Sequence, residues 1–309
     1  MTRVVCIGEC MVEMRASGEN RFERGFAGDV YNTAVYLKRS LPEARVQFAT
    51  ATGDDALSAA MRESWQMEGI DDALAFTVRG GAPGLYLIET HGAGERRFHY
   101  WRSNSAARQW LAQLQPHESS LDGADLVYFS GISLAILSAP EREAALELFQ
   151  RLRNHVGLIA FDPNVRLTLW ESAPIAAACI AAAFSVCNIS LPSSEDLTQA
   201  FNIERPLQQL ELLRGWGVRE AALTLGAAGC LLGPHTPAHV PSHLVESVID
   251  TSGAGDAFNG AYLAKRLQGL TPVQAAEAGL RVASRVVTHA GAVVPSNVSH
   301  PPESLGADG

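Results

Sequence analysis

Beyond about residue 126, short apolar runs alternate with longer stretches of helical periodicity, and that alternation limits the possible folds more than any other feature. The run 126–130 precedes a helix opened by the capping box Ser138-x-x-Glu141, with Pro140 inside the first turn. Then come strand 158–161, helix 173–183, strand 185–189, helix 206–216, strand 221–225 and a hairpin partner over 229–232. A strand over 245–249 leads to a helix starting near Gly255, and Thr271-Pro272-x-Gln274 opens another. Strands separated by helices pair in parallel and are covered on both faces. The expectation is a three-layer α/β sandwich around a mostly parallel sheet.

The first half adds strand 3–7, a helix over 29–40, strand 46–51 and an amphipathic helix over 55–68 that stops at Gly69. From about 74 to 101 the pattern breaks into the short segments 75–78, 84–89 and 96–101, which read as hairpins of a small sheet. With 309 residues, 47% of them hydrophobic, the chain suits one large unit over 1–309, with a small β lid drawn from about 9–27 and 75–103. The tail from Pro301 reads as disordered.

A formal charge of −9 argues against nucleic-acid or anionic-membrane partners, so an anionic ligand would need cations placed locally. Cys6, Cys10, Cys179, Cys187 and Cys230 show no metal or redox spacing and read as buried free thiols. The start at Thr2-Arg3-Val4 has no signal-peptide layout, and the apolar stretch 173–189 contains Pro174, Ser185 and Asn188. Both point to a cytoplasmic protein.

The segment Asp250-Thr251-Ser252-Gly253-Ala254-Gly255-Asp256 carries the chemistry. Its glycines let backbone approach a ligand, and a helix beginning there aims free N–H groups and a positive dipole end into the loop. Asp256 stands at the rim of that anion pocket, where a carboxylate can accept a proton from a hydroxyl attacking phosphorus. Other polar loops fall at strand ends, where open parallel sheets bind ligands. Asp162-Pro163-Asn164-Val165-Arg166 is either a turn or part of a site. Ser193-Ser194-Glu195-Asp196 caps a helix whether or not it also orders a metal through water. Thr224-Leu225-Gly226 is either a plain strand end or a turn that suits a flat adenine or ribose, and Gly28, Asp29 and Asn32 suit a hydroxyl-rich ligand or a plain N-cap. Tyr86, Tyr100 and Arg102 lie on or beside the lid strands, and Tyr100 and Arg102 share a face if the strand runs through both. His91, His99 and His117 show no metal spacing and read as surface residues. Gly8-Glu9-Cys10-Met11 lacks the glycines of a dinucleotide-binding turn, which argues against a dehydrogenase.

Together these residues resemble the PfkB/ribokinase carbohydrate kinases over nearly the whole chain. The 250–256 segment matches that family's Asp-Thr-x-Gly-Ala-Gly-Asp signature, and Ala27-Gly28-Asp29-x-x-Asn32 matches its N-terminal pattern with Ala27 in place of a glycine. Tyr86, Tyr100-Trp101-Arg102 and the Asp162–Arg166 loop are most similar to the kinases of 2-keto-3-deoxygluconate. The family's Asn-x-x-Glu, linked to magnesium, appears here as Ser193-x-x-Asp196.

The resemblance implies a ribokinase-like fold and ATP-dependent phosphorylation of 2-keto-3-deoxy-D-gluconate at its 6-hydroxyl. Asp256 would be the base, kept ionised by the helix N-terminus, with Gly253, Ala254 and Gly255 N–H groups on the γ-phosphoryl oxygens. Gly28, Asp29, Asn32, Tyr86 and Tyr100 would line the sugar site, with Arg102 and Arg166 on its carboxylate. Asn164, Arg166, Ser193, Thr224, Gly226 and Gly229 would face the nucleotide. Mg²⁺ would accompany ATP, with Asp196 reaching it through water, and many members also use a monovalent cation. A homo-oligomer paired through the lid is expected. The alternatives are a kinase of a neutral sugar such as fructose or tagatose, or a sugar-binding regulator without turnover.

Overall fold

The computed structural model describes residues 1–18, 21–91 and 95–301, so the expected disorder beyond Pro301 lies outside the described residues. Nine strands form one sheet in the order β13-β12-β11-β10-β9-β8-β1-β4-β5. Its members are β1 (Arg3–Ile7), β4 (Arg45–Thr52), β5 (Ala75–Thr77), β8 (Leu126–Ser130), β9 (Leu158–Asp162), β10 (Ile189–Ser190), β11 (Glu220–Thr224), β12 (Cys230–Gly233) and β13 (Ala238–Val240). All pairs from β11 to β5 are parallel, and β12 and β13 add antiparallel edges.

Both faces of this sheet are buried because its strands are apolar without alternation. Along β1, Val5 and Ile7 pack into one core with Val127, Phe129, Phe149 and Phe184. Val4 and Cys6 point the other way, into a core with Tyr31, Trp65, Phe258 and Tyr262. Helices Ala139–Leu152 and Ala173–Val186 cover the first face; Asp29–Ser40, Ala56–Met67, Ala254–Leu267 and Pro272–Val286 cover the second. Helices Asp29–Ser40 and Ala254–Leu267 come close because Gly260 has no side chain: a Cβ there would sit 2.6 Å from the Thr33 carbonyl oxygen.

A second sheet, in the order β3-β2-β6-β7, joins β2 (Met11–Gly18), β3 (Arg21–Ala27), β6 (Gly84–His91) and β7 (Glu95–Trp101). Three expectations need correction. The run 75–78 does not belong to this small sheet; β5 pairs in parallel with β4 at the edge of the large one. It follows helix Ala56–Met67, so it completes a strand–helix–strand crossover, which strand periodicity cannot distinguish from a hairpin. The strand expected over 245–249 is absent: Val248 and Ile249 are exposed, and the Ile249 and Asp250 N–H groups donate to the Val287 carbonyl. The strand expected over 185–189 shrinks to Ile189–Ser190, because the alanine-rich helix runs on to Val186. Four of the five cysteines are buried and all are free, as expected. Among the described residues no helix is long and apolar enough to cross a membrane.

Candidate active site

The parallel strands bring their C-terminal ends to one rim, and the small sheet, which continues from β1, stands over it. Between them lies a cleft of about 920 Å³. Its wall includes Gly28, Asp29, Asn32, Tyr86, Tyr100, Arg102, Asn164, Arg166, Ser193, Asp196, Thr224, Gly253, Gly255 and Asp256. Residues up to 228 apart in sequence thus meet in one cavity.

The helix Ala254–Leu267 begins at Gly253, which caps it with φ 73° and no side-chain hydrogen bond. Only glycine suits this position twice over, since φ is positive and a Cβ would lie 2.3 Å from the Ala292 carbonyl oxygen. Asp250 braces the loop by accepting from Ser252 N–H (2.8 Å) and Gly291 N–H (2.7 Å). Gly253 and Gly255 line the cleft, as an anion cradle requires. Ala254 does not: its N–H donates to the Thr251 carbonyl at 3.3 Å inside the turn.

Asp256, in the first turn, accepts from the Asn32 amide at 2.8 Å. Its charge state differs from the sequence expectation. Desolvation at the cleft floor, reinforced by the Asp29 carboxylate, lifts its pKa to about 7 against the pull of Asn32 and Arg166. A helix terminus contributes a few tenths to about 1 kcal/mol, too little to offset desolvation and a like charge. Nearby Asp162, 7% exposed, is likewise pushed far up by burial and by the charges of Asp196, Asp256 and Asp29.

Tyr100 and Arg102 both face the cleft although β7 ends between them, at Trp101. Partial burial raises the Tyr100 phenol while Arg102 and Arg166 both lower it, so both positive charges act on the same part of the cleft. They are not equally available. Arg166 is exposed and, among the described residues, donates only to the Val165 carbonyl (2.8 Å). Arg102 is paired with Glu9, a fully buried carboxylate that also accepts from Ser105 Oγ at 2.6 Å. The Arg102 Nε makes no hydrogen bond among the described residues. Of the two arginines expected on the substrate carboxylate, Arg102 is already paired with a protein carboxylate and Arg166 is not, among the described residues.

Ser193 and Asp196 form a reciprocal capping box, with Ser193 Oγ donating at 2.5 Å. The other Asp196 oxygen accepts from Val165 N–H at 2.7 Å. Both oxygens are thus engaged, and among the described residues no three carboxylate, histidine or cysteine side chains converge on a metal position. Asp196 is therefore a helix cap in its own right, whatever it does for a metal through water. Thr224 reaches the wall, whereas Gly226 and Gly229 belong to the short turn joining β11 to β12 and do not line it. His117 stacks on Phe76 and His99 lies 3.0 Å from Glu89; the side chain of His91 lies outside the described residues.

The sequence reading missed Glu13, which lines the cleft, accepts from the Tyr86 hydroxyl and pairs with Arg15. Its signal was strand alternation: Glu13 lies two residues after Met11, on the same face of β2.

The family model for "pfkB family carbohydrate kinase" matches residues 1–298. The chain is 38% identical over 301 residues to a 2-dehydro-3-deoxygluconokinase of Dickeya dadantii, covering 94% of this chain and 96% of that one. It is 36% identical to the enzyme of the same name from Escherichia coli K12, covering 95% and 97%. Among solved structures, a fructokinase from Vibrio cholerae with fructose, ADP and calcium superposes with a TM-score of 0.83 at 23% identity, covering 96% of each chain.

Proposed function

The chain belongs to the pfkB family of carbohydrate kinases, and we propose that it transfers the γ-phosphoryl group of ATP to the 6-hydroxyl of 2-keto-3-deoxy-D-gluconate. The names of its relatives support that acceptor. The observation that carries it is the charge layout of the cleft: a carboxylate, Asp256, beside a glycine cradle, with Arg166 and Arg102 on the same wall and both charges acting on Tyr100.

The sugar acid lies with its carboxylate toward Arg166, which offers a planar fork of donors. Arg102, fixed by Glu9, supplies a second positive charge at that end. The far hydroxyl then reaches Asp256. As O6 bonds to the γ-phosphorus, its proton passes to an Asp256 oxygen and the bond to the β,γ-bridging oxygen breaks, leaving ADP with that electron pair. The N–H groups behind Gly253 and Gly255 face the charge that builds on the equatorial oxygens. Magnesium would enter with ATP; among the described residues no three carboxylate, histidine or cysteine side chains converge to hold it apart from the nucleotide. When bound, that ion neutralises phosphate charge. Phe22 and Trp101, exposed on the small sheet, support self-association there, readable by light scattering.

A coupled ADP-release assay over a panel of sugars and sugar acids tests the reading. The keto acid should exceed fructose and ribose in kcat/KM by roughly 100-fold or more, the range lost when a charged partner goes unmatched. Equal or better turnover of a neutral sugar overturns the acceptor assignment.

A further inference from the structure

Asp256 is one of three aspartates held in the same way. In helix Asp29–Ser40, Asp29 and Asn32 stand three residues apart and so share a face. In helix Ala254–Leu267, Asp256 and Asn259 repeat that spacing. The end of β9 and the loop that follows it carry Asp162 and Asn164. Each asparagine reaches across to the aspartate of another element, always at 2.8 Å: Asn32 to Asp256, Asn259 to Asp162, and Asn164 to Asp29. The three pairs close a ring that links both helices and the loop. Asn164 occupies a left-handed backbone position, φ 30°, stabilised by its N–H to Asp162 Oδ1 at 2.9 Å. Outside glycine, asparagine is among the residues that best tolerate that conformation, and here it aims the amide at Asp29.

We propose that Asp29 is a positioning residue for proton transfer: its charge, fixed across the cleft by Asn164, keeps Asp256 basic enough to take the hydroxyl proton. The inference rests on Asp256 being the base. Desolvation raises the proton affinity of Asp256, the Asp29 charge adds to that rise, and Asn32 and Arg166 pull it back down. A base works best with its affinity for protons near the working pH. Asp29 is the like charge acting most strongly on it. The groups facing Asp256 are Asp29 and Tyr36 from helix Asp29–Ser40, Tyr128 from β8, and Asp162 and Arg166 from the loop after β9. Asp162 is the more deeply buried of the two aspartates, and desolvation together with the Asp196, Asp256 and Asp29 carboxylates pushes its own proton affinity up. Arg166 opposes Asp29.

The test is the pH profile of kcat/KM for wild type, Asp29→Asn, Asn164→Gly and Asp256→Asn, each checked for folding by circular dichroism. Asp29→Asn keeps the shape and can still accept from Asn164. Its rising limb should move about one unit to lower pH, since a neighbouring like charge shifts a carboxylate by one to three units. Its plateau kcat should fall roughly tenfold, with KM for the sugar acid changed less than about threefold. Glycine suits the backbone of residue 164, so Asn164→Gly removes the amide without strain and should move the limb the same way, by less. An unmoved limb with a raised KM in Asp29→Asn would make Asp29 a sugar ligand only and overturn the proposal. Full turnover by Asp256→Asn would instead sink the reading beneath it, whatever Asp29 does.

Discussion

Replacing Asp256 with asparagine should disable the enzyme and stabilise it at the same time, and both effects follow from one environment. In the fold the carboxyl ionises near pH 7 instead of 3.8 because the cleft desolvates it and Asp29 repels its charge. The folded-state value is raised, so the stabilising contribution is fully present below the unfolded value and is lost as pH rises through about 7. Above that pH the wild type holds an unfavourable charge that the Asp256→Asn variant lacks. Three units correspond to at most about 4 kcal/mol at 1.36 kcal/mol per unit. The side chain is only partly buried and the cleft is open to water, so about 1–2 kcal/mol is the expected net gain. Denaturant unfolding of both proteins from pH 5 to 8.5 should show the difference widening toward alkaline pH. In the ADP-release assay kcat should drop by about 10³-fold, the scale of a lost general base, with KM nearly unchanged. A variant that loses stability as pH rises would refute the desolvation argument. One that keeps its turnover would refute the base assignment.

Arg166→Ala should lower kcat/KM for the keto acid by roughly 100-fold, the cost of an unpaired carboxylate, but for a neutral sugar by far less; equal losses in the same assay would move Arg166 to the nucleotide. Gly253→Ala forces a side chain into positive φ and against the Ala292 carbonyl, so it should cost about 2 kcal/mol in a thermal melt and sharply raise KM for ATP. An unaffected ATP KM would mean that the cradle does not hold phosphate. Asp196→Ala removes a helix cap and a partner of Val165 N–H, which should cost about 1–3 kcal/mol. Its dependence on magnesium should match wild type; a steep rise in the magnesium needed would make Asp196 a metal contact as well.

The layered fold was legible because continuous apolar strands and capped helices are local signals. Ser138, Ser193 and Thr271 cap where the sequence places caps. What stayed hidden depended on partners distant in sequence. Nothing in 75–77 says that it pairs with β4, and nothing in Val248-Ile249 says that those side chains stay exposed. The cleft followed the same division. Gly253, Gly255 and Asp256 were readable from loop chemistry, but the charge state of Asp256 is set by desolvation in the folded cleft and, after it, by Asp29, 227 residues away. The side chain that anchors Arg102, Glu9, is buried beside Ser105 and lies 93 residues away, where no local pattern points to it.

Where the phosphoryl group lands tests the central claim most directly. The chain should be incubated with ATP, magnesium and 2-keto-3-deoxy-D-gluconate and the product read by phosphorus NMR with proton coupling. The account predicts a monoester signal split into a triplet by the two hydrogens of the terminal carbon. A doublet, from an ester on a secondary carbon, or free phosphate without any ester would contradict it.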